Sequence, residues 1–117
     1  NHFVTIGCLA MVGGMSRVVK DVPPFMTIEG SPARVHGVNL VGLKRREKSP
    51  EAIKQLRAAY RKLYQDEAPV SLVLDELESV SSLTPEVLRL VSSLRDMERG
   101  YQGRYREALR RPPQQEA

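Results

Sequence analysis

The chain has 117 residues and a formal net charge of +4, with 41% hydrophobic and 27% charged residues, which suits one globular domain or little more. A single cysteine, Cys8, excludes an internal disulfide framework and a cysteine metal cluster; no Trp and only 5% aromatic residues argue against modules that stack nucleic-acid bases. No apolar run approaches the ~18 residues of a membrane span, residues 1–20 lack a signal-peptide pattern, and a first residue of Asn predicts a processed chain or a piece of a longer one.

Charge divides the chain into four segments. Residues 1–43 carry net +1 and six of the eight glycines, 44–66 carry +5, 67–99 carry −4 and 100–117 carry +2. A basic block beside an acidic one fits either two solvated helix faces or oriented docking of an anionic partner.

The first segment reads as strand and turn. Ile6, Val12 and Val18 recur every six residues, and Val4, Ala10, Ser16 and Val22 recur at the same interval. One large aliphatic and one small side chain per hexad is a packing rule for a narrow stacked prism, with the aliphatic residue inside and the small one at a corner. Gly7 and Gly13 each follow an aliphatic position, where a turning backbone gains from lacking a Cβ. In Asp21-Val22-Pro23-Pro24-Phe25-Met26-Thr27-Ile28-Glu29-Gly30-Ser31-Pro32-Ala33-Arg34, the proline pair removes two backbone donors and predicts the end of regular pairing, and Gly30 with Pro32 predicts another turn.

The hexads and this terminator resemble the end of the left-handed parallel β-helix in hexapeptide-repeat acyltransferases, with Ser31 where Asn is usual. Gly37-Val38-Asn39-Leu40-Val41-Gly42-Leu43-Lys44-Arg45-Arg46 resembles more narrowly the UDP-N-acetylglucosamine O-acyltransferase family. That family's "VNIEGLKRRG" is matched at Asn39, Gly42, Leu43, Lys44, Arg45 and Arg46, while Val41 stands where Glu is usual. The resemblance covers residues 1–103, with its specific motifs within 1–64.

Beyond residue 46 the pattern is helical in its own right. Ser49-Pro50-Glu51 supplies an N-cap, a Pro at the first helical position and an acidic first turn. Ile53, Leu56, Tyr60, Leu63 and Tyr64 then form one apolar stripe, and Asp66 to Pro69 ends the helix. Ser71 is expected to cap a second helix with Leu72, Leu77 and Val80 buried. Thr84-Pro85-Glu86 opens a third with Val87, Leu88, Leu90, Val91, Leu94 and Met97 apolar. Tyr101 to Arg110 reads as a short helix and Pro112 onward as a frayed tail. The expected fold class is therefore β + α: residues 1–36 as terminal coils of a left-handed parallel β-helix, 37–111 as a C-terminal helical bundle, and 112–117 as a disordered tail.

The resemblance implies transfer of a 3-hydroxyacyl group from acyl carrier protein to the 3-hydroxyl of UDP-N-acetylglucosamine, the first step of lipid A synthesis, with a histidine as general base. Aligned with the family, that histidine lies two coils upstream of Asn1, so this chain alone is expected to be inactive, with no catalytic residue of its own. Asn1-His2-Phe3 replaces the family's "HQF", and His2 is retained as a substrate contact. Asn39, Arg45 and Arg46 match positions implied to hold the nucleotide sugar, where the planar guanidinium fork suits a diphosphate. Gly14 matches the position that limits acyl-chain length and implies a groove for a longer chain. Arg57, Arg61 and Lys62 are expected to receive acidic acyl carrier protein. His36 reads as a solvated linker residue. No cofactor, metal site, nucleic acid or membrane span is implied; a homotrimer in the cytoplasm is. Two alternatives stay open: a coenzyme A-dependent hexapeptide acetyltransferase, and a non-enzymatic helical module that docks an acidic protein through its basic helix.

Overall fold

The computed structural model describes residues 4–99. In chain order these are β1 (Met11–Val12), β2 (Met26–Gly30), β3 (Ala33–Val38), α1 (Leu40–Arg45), α2 (Pro50–Tyr60), a π-helical turn (Arg61–Gln65), α3 (Val70–Glu78) and α4 (Pro85–Arg99). The architecture is a small mixed sheet followed by helices.

The chain passes over itself in parallel at a constant offset. Ile6 bridges Val22, Met11 pairs with Thr27 and Val12 with Ile28, each 16 residues apart. Further along, the Arg17 amide donates to the Gly30 carbonyl (2.9 Å) and the Ala33 amide to the Arg17 carbonyl (2.8 Å). Three contact points at five- to six-residue steps are what a stacked coil requires. The repeat is shorter than three hexads, so one expectation shifts. Val22 does not belong with the small residues; it faces Ile6 and is 1% exposed.

The coil turns at non-glycine residues. Leu9, Met15 and Phe25 have φ of 53°, 63° and 65°, in the left-handed region. Leu9 and Phe25 again differ by 16, so one corner stacks on the other. Gly7 does serve close approach, because a Cβ there would lie 2.6 Å from the Pro24 Cα. Pro23 and Pro24 interrupt pairing only briefly: β2 starts at Met26, next to β1 on one side and β3 on the other. The hairpin formed by β2 and β3 is antiparallel, which the repeat pattern did not indicate.

The same stretch joins sheet to helices. Val22 to Met26 are all buried, and Phe25 and Met26 enter one core with Leu43, Leu56, Ala59, Leu63, Leu74, Val87 and Leu90. By contrast, Ile6, Met11 and Val12 are 40–50% exposed on the open side of the coil.

Helix starts follow local rules. The Ser49 hydroxyl accepts the Ala52 amide (3.1 Å), with Pro50 and Glu51 next. For α3 the expectation fails: Pro69 is the N-cap, and Ser71 lies inside the helix without capping it. The buried face is also rotated, to Val73, Leu74 and Leu77, leaving Leu72 and Val80 exposed. Helix α4 opens at Pro85 as expected, but the Thr84 hydroxyl is buried without a hydrogen-bond partner, and Leu88 is exposed. Its first turn is instead tied to α2. Gln55 Oε1 accepts the Thr84 amide (2.8 Å) and Gln55 Nε2 donates to the Ser82 carbonyl (3.1 Å). Arg95 of α4 bonds Asp75 (2.5 Å) and Glu78 (2.6 Å) of α3, and Glu98 (3.4 Å) of its own helix.

Candidate functional site

Helix α1 has only six residues, and its placement rests on Asn39. The Asn39 Oδ1 accepts the Gly42 amide (3.1 Å), which caps the helix. Its Nδ2 donates to the Leu9 carbonyl (2.8 Å), and its backbone amide donates to the Phe25 carbonyl (2.7 Å). One residue therefore grips two stacked corners of the coil and the start of the helix. A Cβ on Gly42 would collide with the Asn39 amide group, so the glycine is required for the cap.

From this anchor, α1 and the following turn present basic side chains into two grooves. The first, about 540 Å³, lies between the Cys8–Leu9 corner and the start of α4; Arg46, Lys48, Arg89 and Glu86 give it polar walls. Arg89 Nη1 lies 3.3 Å from Cys8 Sγ, and Lys48 pairs with Glu86 at 3.4 Å. The second groove, about 550 Å³, is lined by Lys44, Lys48, Lys54, Arg57 and Arg61 over an apolar floor of Pro50 and Ile53, with no carboxylate among its lining residues. Lys48 borders both grooves.

The structure thus brings some of the expected residues together and separates others. Arg46 enters the first groove, and Arg57 and Arg61 share the second. Arg45 is exposed and lines neither. Lys62 points elsewhere and pairs with Glu76 of α3 at 2.6 Å. Gly14 is exposed, with open space where a Cβ would be. Val41 is exposed at the start of α1. His2 lies outside the described residues, as do the short helix expected at 101–110 and the tail at 112–117. His36 is exposed, and its backbone carbonyl accepts the Tyr60 hydroxyl (3.1 Å).

Sequence reading missed Lys44 and Lys54 as partners of Arg57 and Arg61. Lys54, Arg57 and Arg61 recur at three- and four-residue steps, so their shared face was readable; Lys44 comes from another helix. Arg89 had no local signal, since Cys8 is 81 positions away. Among the described residues no cluster of three His, Cys, Asp or Glu could hold a metal ion, and no helix is long and apolar enough to cross a membrane.

Residues 21–102 match the family model described as UDP N-acetylglucosamine O-acyltransferase, domain 2. A Synechocystis protein named acyl-[acyl-carrier-protein]–UDP-N-acetylglucosamine O-acyltransferase is 49% identical over 77 residues, covering 66% of this chain and 28% of that protein. A Gloeothece citriformis protein of the same name is 46% identical over 82 residues, covering 70% and 30%. Among solved structures, a UDP-N-acetylglucosamine acyltransferase from Bacteroides fragilis aligns with a TM-score of 0.78 at 33% identity, covering 84% of this chain and 38% of that one. The Arabidopsis UDP-N-acetylglucosamine acyltransferase aligns at 0.76 and 37% identity, covering 82% and 35%. The chain spans under a third of the length of the curated relatives it matches.

Proposed function

Since the chain belongs to the UDP-N-acetylglucosamine O-acyltransferase family, we propose that it is the C-terminal part of an enzyme that moves a 3-hydroxyacyl group from acyl carrier protein to the sugar 3-hydroxyl of UDP-N-acetylglucosamine. On this reading the 16-residue coil is the last of a left-handed parallel β-helix, and the helices after it form the C-terminal bundle. Residues 1–36 and 37–111 are the two corresponding units. The whole protein is a cytoplasmic homotrimer that opens lipid A synthesis, and its general base comes from residues outside this chain, which alone turns nothing over.

Within this chain the work is binding. Arg46, beside Lys48 and Arg89, offers guanidinium and ammonium donors to a nucleotide diphosphate. Arg45, adjacent to Arg46 in sequence, is assigned to the same contact, and His2 is assigned to it on the family resemblance alone. Asn39 supports the sugar site chiefly by holding α1 in place, since its amide already caps the helix and bonds Leu9. Gly14 leaves room along the coil for the acyl chain.

The observation that carries the reading is the second groove, where five cations converge over an apolar floor with no carboxylate in the lining. Such a surface is built for an anionic partner, and acyl carrier protein is acidic. Arg57 and Arg61 supply its two guanidinium groups. Lys62, neutralised by Glu76, contributes less than the sequence alone implied.

Two measurements test this. Arg57→Glu with Arg61→Glu weakens acyl carrier binding at least about tenfold at low salt, whereas Lys62→Glu changes it little; equal affinity in all three proteins overturns the docking assignment. Grafting this chain in place of the matching residues of the Synechocystis relative should retain acyl transfer. A folded chimera without transfer would sink the wider reading.

A further inference from the structure

Between the sheet and the helices lies a third groove, of about 500 Å³, which shares no lining residue with the two basic ones. We propose that residues 101–110 of this same chain occupy it, with Tyr101, Tyr105 and Leu109 set against its apolar floor. The proposal does not rest on the acyl-transfer reading, and the family match stops at residue 102, so most of the segment lies beyond it.

The floor is aliphatic from both sides. Val18, Ile28 and Val35 come from the coil and hairpin, and Leu63, Leu94 and Met97 from the helices. Walls of this kind favour apolar side chains over water. Two of them indicate whose side chains these are. Leu94 and Met97 lie in the last two turns of α4, which ends at Arg99, so the described residues stop two positions past a lining side chain and 18 more follow. In that continuation Tyr101, Tyr105 and Leu109 recur at four-residue steps, with Ala108 beside them, which makes one apolar stripe when wound as a helix. Gly100, directly after α4, is the residue type that reverses a chain at a helix C-terminus. Three residues separate Met97 from Tyr101. So short a tether holds the segment at an effective concentration on the order of millimolar, which favours it over a second copy or a free partner.

Charge points the same way. Residues 67–99 carry net −4 and 100–117 net +2. Tyr64 and Val70 both line the groove, and the connection between them carries Asp66 and Glu67, exposed and without an ion pair among the described residues. Arg104, Arg106, Arg110 and Arg111 fall off the apolar stripe of the segment and bring the opposite sign to that side of the molecule. Tyrosine also suits the lining, which adds Lys20 and Asp21 to its aliphatic floor: the ring is buried while the hydroxyl meets polar groups or water.

Isotope-filtered NOE measurements on the 117-residue chain test this. Ring protons of Tyr101 and Tyr105 should show NOEs to the methyl groups of Val35, Leu94 and Met97 within one molecule. In Tyr101→Ser/Tyr105→Ser those methyl signals shift and the uncharged dye Nile red gains a binding site, whereas Tyr101→Phe/Tyr105→Phe keeps the contacts and excludes the dye. Unchanged methyl signals of Met26 and Leu56, both fully buried, show that the serine variant keeps its core. Absence of the NOEs overturns the proposal, as do groove methyls that ignore the serine substitutions. NOEs found only between differently labelled copies would give the groove to the tail of a second chain, and the proposal fails.

Discussion

At the scale of single residues, Asn39 concentrates more structural consequence than any other polar side chain described. Asn39→Ala removes the α1 cap and leaves the Leu9 carbonyl without its side-chain partner, so it should cost about 1–2 kcal/mol, read as a lower urea midpoint. Asn39→Ser keeps a capping oxygen and gives up the reach to Leu9, so its loss should be smaller; an equal loss would show that the cap contributes nothing. Tyr64 gives a pH-dependent prediction. Burial, with Tyr60 adjoining at 5.6 Å between ring centroids, pushes its phenol from 10.0 up to about 12. The unfolded chain ionises this phenol first. The stability it contributes is therefore intact below pH 10 and lost between about pH 10 and 12. Tyrosinate absorbance should show one of the four tyrosines titrating near pH 12, and Tyr64→Phe should delete that step. Neither role was readable beforehand: Asn39 drew notice only through a resemblance to ligand-binding positions, because its partners Leu9 and Phe25 are remote in sequence.

At the scale of elements, what was legible was local. The Ser49-Pro50 start of α2 and the Pro85 start of α4 came from residues adjacent in sequence, and both stand. Ser49→Ala should cost about 1 kcal/mol in thermal or chemical unfolding. The orientation of α3 was not legible, since Leu72, Val73, Leu74, Leu77 and Val80 offer more than one apolar face. Packing selects Val73, Leu74 and Leu77, and α4 supplies the reason: Arg95 holds Asp75 and Glu78 on the opposite edge. The surrounding carboxylates, Glu78 foremost, raise the already high pKa of that guanidinium. Arg95→Ala should lower Tm at low ionic strength and do so less in high salt, because the remaining Asp75, Glu78 and Glu98 repel one another through solvent. A Tm loss unaffected by salt would point to packing instead. The same reasoning explains the cationic groove. The net +5 of residues 44–66 was plain from the sequence, but only the fold turns Lys62 away to Glu76 and recruits Lys44 from α1.

For the whole molecule, the decisive region is Val22 to Met26, where the coil ends inside the helical core. Met26 is fully buried, begins β2 and belongs to the same cluster as Leu43, Leu56 and Leu90. Met26→Ala should destabilise by about 2–5 kcal/mol and should uncouple the sheet from the helices, seen as separate transitions by hydrogen exchange. A single unfolding event with the same loss would mean the cavity collapses without separating them. The hexad spacing announced a stacked coil but not its 16-residue repeat, because the corners turn at Leu9, Met15 and Phe25 rather than at the glycines that mark turns in a sequence. That repeat also governs how the protein can vary. The Leu9 and Phe25 corners reach Asn39 together only while the number of residues between them is unchanged. An inserted or deleted residue anywhere from 10 to 24 would carry one carbonyl out of reach and set α1, with its arginines, adrift. Chain length in this stretch is thus as tightly constrained as any side chain, and natural length variation should gather instead in the connection between Asp66 and Pro69.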